Sequence, residues 1–204
     1  MTCRFMYTID EYKKLVSQYG PFSSWAIWNS EDQSDSSIID QYYEQLHSKF
    51  ILLGLNISQP LAKGNWSNFH DGPSNVRKLK YACTDNELRG SYITDIFKGI
   101  VEQKSNKFKN LLTDEIINEN VDLFNQEMKD VRINDDSRFI VFGPPTSDLA
   151  RYFNRYFTQK YRNEIIYHYH YAYYSITDKE WVETIWKKLG IYQNFDLTVR
   201  KYKK

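Results

Sequence analysis

The sequence predicts an α/β domain of three layers, with helices on both faces of a mostly parallel central sheet. Three observations carry that prediction. Short apolar runs such as Phe50-Ile51-Leu52-Leu53 and Phe139-Ile140-Val141-Phe142 lack polar alternation, as strands covered on both faces require. Longer segments between them place apolar residues at helical spacing. The two kinds alternate along the chain, the order that builds parallel strands through crossover helices. At 204 residues the chain is long enough for one sizeable core and short for two, so a single domain over 1–204 is expected.

The elements follow in order. Thr8-Ile9-Asp10-Glu11 is a capping box, and Ile9, Tyr12, Leu15, Val16 and Tyr19 form the stripe of a helix ended by Gly20-Pro21. Ser24 to Trp28 is a predicted strand and Ser30 to Ser37 a polar loop. Ile38, Ile39, Tyr42, Tyr43 and Leu46 make a second helical stripe, followed by the strand Phe50 to Leu53. The segment Asn56 to Asn75 has the composition of a long irregular loop, with Pro60, Gly64, Gly72 and Pro73 breaking it and Trp66 and Phe69 inside it. Loops of that length in a compact domain are usually functional or disordered, and the two aromatics favour function. Ser91 to Thr94 is a strand and Thr113 to Val131 a helix. Arg138 to Phe142 is a strand entering the turn Gly143-Pro144-Pro145-Thr146. A helix with Leu149, Tyr152, Phe153, Tyr156 and Phe157 comes next, then a strand at Glu164 to Tyr167. Thr177 and Glu180 form a capping box for a helix carrying Trp181, Val182, Ile185, Trp186 and Leu189, stopped at Gly190. The tail residues Arg200, Lys201, Lys203 and Lys204 read as a solvated end.

Composition narrows the function classes. Hydrophobic residues at 41% and charged residues at 26% are those of a globular protein. No apolar run reaches the roughly 20 residues of a membrane helix, and the N-terminus lacks a secretory signal, so a cytoplasmic location is expected. Cys3 and Cys83 stand alone and cannot form an iron–sulfur or four-cysteine zinc site. No cofactor is expected, and a monomer is. A net charge of +1 does not attract nucleic acid in bulk; only a local basic stripe would. The 17 tyrosines suit core edges, binding clefts or a partner interface.

In open α/β sheets ligands bind beyond the carboxyl ends of the strands. That rule collects Asn56, Asp95, Gly143 and His168, each following a predicted strand. An amide, a carboxylate, a tight Gly-Pro turn and an imidazole, with Trp66 and Phe69 nearby, suit a flat polar ring: one ring stacks on its face while polar groups read its edge. Nucleophile-elbow, phosphate-loop and dinucleotide fingerprints do not occur.

With those residues the chain resembles the uracil-DNA glycosylase-like superfamily, in particular its mismatch-specific and single-strand-selective branches. Gly54-Leu55-Asn56 matches the first motif after a buried strand. Phe69, or else Trp66, corresponds to the aromatic that stacks on a flipped base. Asp95, in Tyr92-Ile93-Thr94-Asp95, corresponds to the residue reading the base edge, and His168 or His170 opens the second catalytic motif. The likeness in order and spacing runs from Phe50 to Leu189. It implies a uracil-DNA glycosylase-like fold and a DNA-repair hydrolase that flips a base from DNA and cleaves its N-glycosidic bond. Asn56 would hold the attacking water, and the histidine would donate to the departing base. Ser58, Lys63, Ser67 and Gly143 would contact the nucleic-acid backbone. Two positions depart from the pattern. Tyr169 follows His168 where the family has proline, and Asp95 stands where the family has asparagine; an ionised carboxylate only accepts hydrogen bonds and so would favour an N–H or amino edge.

Blander readings of the same residues stay open. Asn56 fits a turn, Phe69 and Trp66 loop anchors, Asp95 a helix cap, and the lysines at 104, 107 and 109 a solvated face; His168 and His170 share one strand face by the two-residue period, which would suit a metal pair but comes without a nearby third ligand. The alternative function is a non-catalytic protein that binds a nucleobase, nucleotide or nucleic acid in the same cleft.

Overall fold

The structure is a computed structural model that describes residues 7–61, 64–70 and 76–193. Its sheet has five strands: β1 (Ser24–Trp25), β2 (His47–Ile57), β3 (Ser91–Val101), β4 (Arg138–Phe142) and β5 (Ile165–His168). Their spatial order is β1-β3-β2-β4-β5, with β1 antiparallel to β3 and every other pairing parallel. The chain passes from β2 to β3 on one side, then crosses back to β4 on the other. The order of the parallel strands therefore reverses about β2, the kind of switch point at which open sheets leave a crevice.

Among the described residues seven α-helices precede, connect or follow the strands: α1 (Ile9–Tyr19), α2 (Ile38–Gln41), α3 (Arg77–Ala82), α4 (Ser105–Leu111), α5 (Asp114–Asp130), α6 (Asp148–Tyr152) and α7 (Asp178–Leu189). Both capping boxes form as expected, at Thr8 and Thr177, and Gly190 ends α7 in the left-handed conformation. The three layers follow from β4. Phe139 and Phe142 are three residues apart and so face opposite sides of the sheet. Phe139 meets Phe124 of α5 and Phe153, whereas Phe142 meets Trp181 of α7. No helix among the described residues is long and apolar enough to cross a membrane.

One buried charge pair is built into the α5 side. The Glu127 carboxylate, fully buried, accepts from Ser23 Oγ at 2.9 Å, Tyr92 hydroxyl at 2.6 Å and Thr94 Oγ1 at 2.9 Å, and pairs with the buried Lys98 ammonium. Burying an ion is costly unless it is paired and hydrogen-bonded, and here it is both.

Several expectations need correction. The strand predicted over Ser24 to Trp28 is only two residues long, because Ile27 N donates back to Trp25 O at 2.7 Å and breaks the ladder. The stripe from Ile38 to Leu46 is not one helix: Tyr42 leaves the helical region at φ −117°, between α2 and a single tight turn at Tyr43–Gln45. Strands β2 and β3 run to eleven residues each, past the end of β4, and continue as a two-stranded ribbon. Asn56 and Asp95 therefore lie inside strands, not in the loops after them, and Asp95 caps no helix. The fall in hydrophobicity after Leu53 marks where β4 stops covering β2, not where β2 ends. Helices α3 and α4 have no apolar stripe long enough to announce them.

Candidate functional site

The site forms where β2 and β3 outrun β4. Gly54 is paired with Asp95 across the ribbon. A Cβ on Gly54 would stand 2.1 Å from Asp95 Oδ1 and 3.2 Å from Phe69 Cζ, so both side chains close over the space that glycine leaves empty. The three residues come from separate parts of the chain, and the fold brings them into contact.

Residues 64–70 deliver Phe69 to that point. Trp66 and Phe69 both have positive φ, 63° and 66°, a conformation that aromatic side chains adopt at a cost. The surroundings hold the strain in place. Trp66 N donates to Gly20 O at 2.6 Å and its indole N–H to Tyr12 hydroxyl at 3.0 Å. Ser24 Oγ donates to Trp66 O at 2.9 Å, and the Trp28 indole to Phe69 O at 3.2 Å. Asn68 Nδ2 then bridges Phe22 O at 2.8 Å and Asp95 Oδ2 at 2.9 Å. Asn68 thus orients the carboxyl, leaving Oδ1 as the atom that leans over Gly54.

The electrostatics of Asp95 differ from the expected acceptor. Burial pushes its pKa up to about 6; the Asn68 hydrogen bond and the Lys98 charge oppose this only in part, because the Lys98 ammonium is engaged by Glu127. Near neutrality the carboxyl is partly protonated, and in that form it both donates and accepts. An N–H or amino edge is then no longer the only one it can read.

Tyr171 packs against the same cluster. Its ring meets Phe69 edge to face at 6.0 Å and Phe142 at 5.4 Å, and His170 stacks on it at 4.2 Å. Burial, and next the Asp95 charge, push its hydroxyl pKa far above the ordinary value. Tyr171 and Asn68 were not among the expected site residues. The only signals for them were an aromatic in the His168-Tyr169-His170-Tyr171 run and an amide beside Phe69.

Asn56 lies two residues beyond Gly54, roughly 7 Å along the strand, paired with Phe97, whose ring packs against Phe108, Tyr152 and Phe157 rather than against Phe69 or Tyr171. Its Nδ2 donates to Ile57 O at 2.9 Å and Glu102 O at 2.8 Å, with Ile100 O at 3.5 Å. Three surrounding carbonyls fix which end of the amide is nitrogen, so Oδ1 is the remaining acceptor.

The histidines separate. His168 is buried, its ring edge-on to Trp181 at 4.4 Å, and no described residue bonds either nitrogen. Burial, then the Lys188 charge, lower its pKa to about 3, so it is a neutral core group. His170 lies past the strand end, exposed, with Nδ1 accepting from Ala172 N at 3.1 Å. They share no face and form no metal pair, because β5 ends at His168 and the alternation lapses there.

Other expected contacts move out of the site. Trp66 is a buried anchor against Trp25 and Tyr12, not a base-stacking ring. Ser67 is buried, 3% exposed, which corrects its assignment as a backbone contact. Gly143 spends its N–H on His168 O at 2.7 Å and Val141 O at 3.0 Å, so it offers no donor to a phosphate. Its lack of a side chain serves packing, since a Cβ would lie 2.4 Å from Ser147 Oγ. Ser58 is exposed just beyond the end of β2. Lys63 lies outside the described residues.

No protein-family model, curated protein or solved structure matches the chain.

Proposed function

We propose that this domain is a DNA glycosylase-like hydrolase that cleaves the N-glycosidic bond of a flipped, modified or mismatched base. The observation that supports it is the meeting of Phe69 and Asp95 over Gly54, with the Asn56 amide fixed two residues along the same strand. In this reading the base stacks on Phe69 and Asp95 reads its edge. Asn56 Oδ1 holds a water, whose oxygen bonds to the sugar carbon as the C–N electron pair leaves with the base, and the proton the water loses ends on the released base. His170, stacked on Tyr171 beside Phe69, is the histidine that stands near the departing base; His168 is packed into the core.

A panel of oligonucleotides carrying deoxyuridine, hypoxanthine or xanthine tests the proposal through the appearance of alkali-labile abasic sites. Release from at least one lesion is expected. Asn56→Ala should abolish it, and His170→Ala should slow it about 10²–10³-fold, the usual effect of losing one charge-stabilising donor. No release from any lesion would sink it. One observation favours the alternative of a binder without turnover: His168, at the expected catalytic position, is turned into the core against Trp181. That reading expects thermal stabilisation by a nucleobase ligand, lost in Phe69→Ala, with no product formed.

A further inference from the structure

Two segments away from the Phe69 cluster gather much of the chain's positive charge. Residues 104–111 and 148–162 hold seven of its 27 lysines and arginines and one of its 26 carboxylates, Asp148, in a chain of net charge +1. The fold makes the two segments neighbours. Phe108 of α4 meets Tyr152 of α6 edge to face at 6.3 Å. Asp148 accepts from Ser105 Oγ at 2.7 Å and pairs with Lys109 at 2.9 Å, so its charge is met from within the face. Glu102, Asp114 and Glu115, the acids nearest α4 in the chain, flank it at its two ends. Lys104, Lys107 and Arg155 are exposed, and no described residue gives their side chains a carboxylate or a carbonyl. Two guanidinium groups are also held in place. Arg151 Nε donates to Thr146 O at 3.1 Å, which orients its plane and leaves the two Nη groups without a hydrogen bond among the described residues. Arg155 lies over the Tyr156 ring at 5.0 Å, and that ring stacks on Tyr152 at 6.2 Å with a 22° tilt. The π-helical turn Phe153–Phe157 keeps both phenylalanines in the core while Arg155 stays outside; such turns are rare and recur at functional sites.

We infer that the face formed by α4 and α6, through Lys104, Lys107, Arg151 and Arg155, docks the phosphate backbone of duplex DNA. Charge complementarity selects a polyanion, and in a chain of net charge +1 only a local basic stripe of this kind attracts one. A guanidinium held in one plane matches a phosphate through two parallel N–H donors. The rings select a duplex over a single strand. Tyr152 and Tyr156 are half-buried and spend their faces on each other and on Arg155, so bases find nothing to stack on. A duplex turns its bases inward and presents one charge per about 1.7 Å of axis. The face also shares its packing with the residue to which the hydrolase reading gives the water. Phe97, paired with Asn56, packs against both Phe108 and Tyr152.

This inference rests on the nucleic-acid reading above for its polyanion, but its test needs no turnover. Fluorescence anisotropy with a short, labelled, lesion-free DNA duplex is measured over a range of salt concentrations. The slope of log K against log salt counts phosphate contacts, at about 0.9 per contact. Lys107→Gln and Arg155→Gln should each lower that slope by about 0.9 and weaken binding alike for every sequence. Arg155→Lys should keep the slope, because the charge is kept. Lys14→Gln is the control: Lys14 is equally exposed but lies with Asp130 and Arg132 at the far end of α5, and its loss should leave the slope unchanged. The Lys107 ammonium bonds to no described residue, so its variant keeps the test decisive if Arg155→Gln loses stability. No duplex binding by the unaltered chain at low salt, face variants with an unchanged slope, or a Lys14→Gln slope lowered as much would overturn the face. A single strand that binds as tightly, or poly-glutamate that displaces the duplex as well at equal charge, would overturn the choice of occupant. If the duplex binds through this face and no lesion is released, the face stands and the hydrolase reading falls.

Discussion

Replacing Asp95 with asparagine isolates the cost of holding a buried charge over Gly54. Asp95 is 4% exposed, its Oδ2 accepts from Asn68 at 2.9 Å, and burial pushes its pKa up to about 6 from an ordinary 3.8. The folded state therefore keeps this proton up to about pH 6, whereas the unfolded chain releases it near 3.8. Across that window the folded state binds more protons, and stability falls as pH rises. The stabilising contribution is complete below about pH 3.8 and gone above about 6. The difference corresponds to about 3 kcal/mol. An asparagine amide in this position would still accept from Asn68 and carries no charge, so Asp95→Asn should gain up to about 3 kcal/mol at about pH 7.5 and flatten the pH dependence. Buried His70 and His168 slope the other way. Burial lowers their pKa values to about 4 and about 3, so their contribution is present above about 6.5 and lost on acidification. The informative quantity is thus the difference between variant and parent in urea titrations from about pH 4.5 to about 7.5. A difference that does not grow with pH would refute the buried-carboxyl reasoning.

Two other substitutions test the architecture around Gly54 and the buried charge pair. Gly54→Ala forces a methyl to within 2.1 Å of Asp95 Oδ1 and 3.2 Å of Phe69, and should destabilise by about 1–3 kcal/mol in urea unfolding while blocking ligand-induced stabilisation. Glu127→Ala strands the buried Lys98 ammonium and three hydroxyl donors, and should cost about 3–5 kcal/mol by the same measurement, with Glu127→Gln milder.

Much of the fold was legible because it is written in local patterns. The capping boxes at Thr8 and Thr177 formed where their residues stand, and the apolar runs at Phe50 and Phe139 became the central parallel strands. The site was legible only in part. Gly54 stood out as a special residue at the end of an apolar run, and Phe69 as an aromatic in an irregular loop. Nothing in the local pattern distinguished Phe69 from Trp66, because their roles depend on Tyr12, Trp25 and Tyr171, which are distant in the chain. The ribbon that carries Asn56 and Asp95 was hidden for a similar reason. Its strands pair with each other alone, so they need no continuous apolar run, and a polar residue within them looks like a loop. The two histidines were indistinguishable because β5 stops between them, and one is buried while the other is not.

The most direct measurement of the central proposal is base release from the lesion panel by the intact chain and by Asn56→Ala. The account predicts an abasic product from at least one deoxyuridine-, hypoxanthine- or xanthine-containing strand, and none from the variant. An intact chain that releases no base, or an Asn56→Ala variant that releases it as fast, would contradict it.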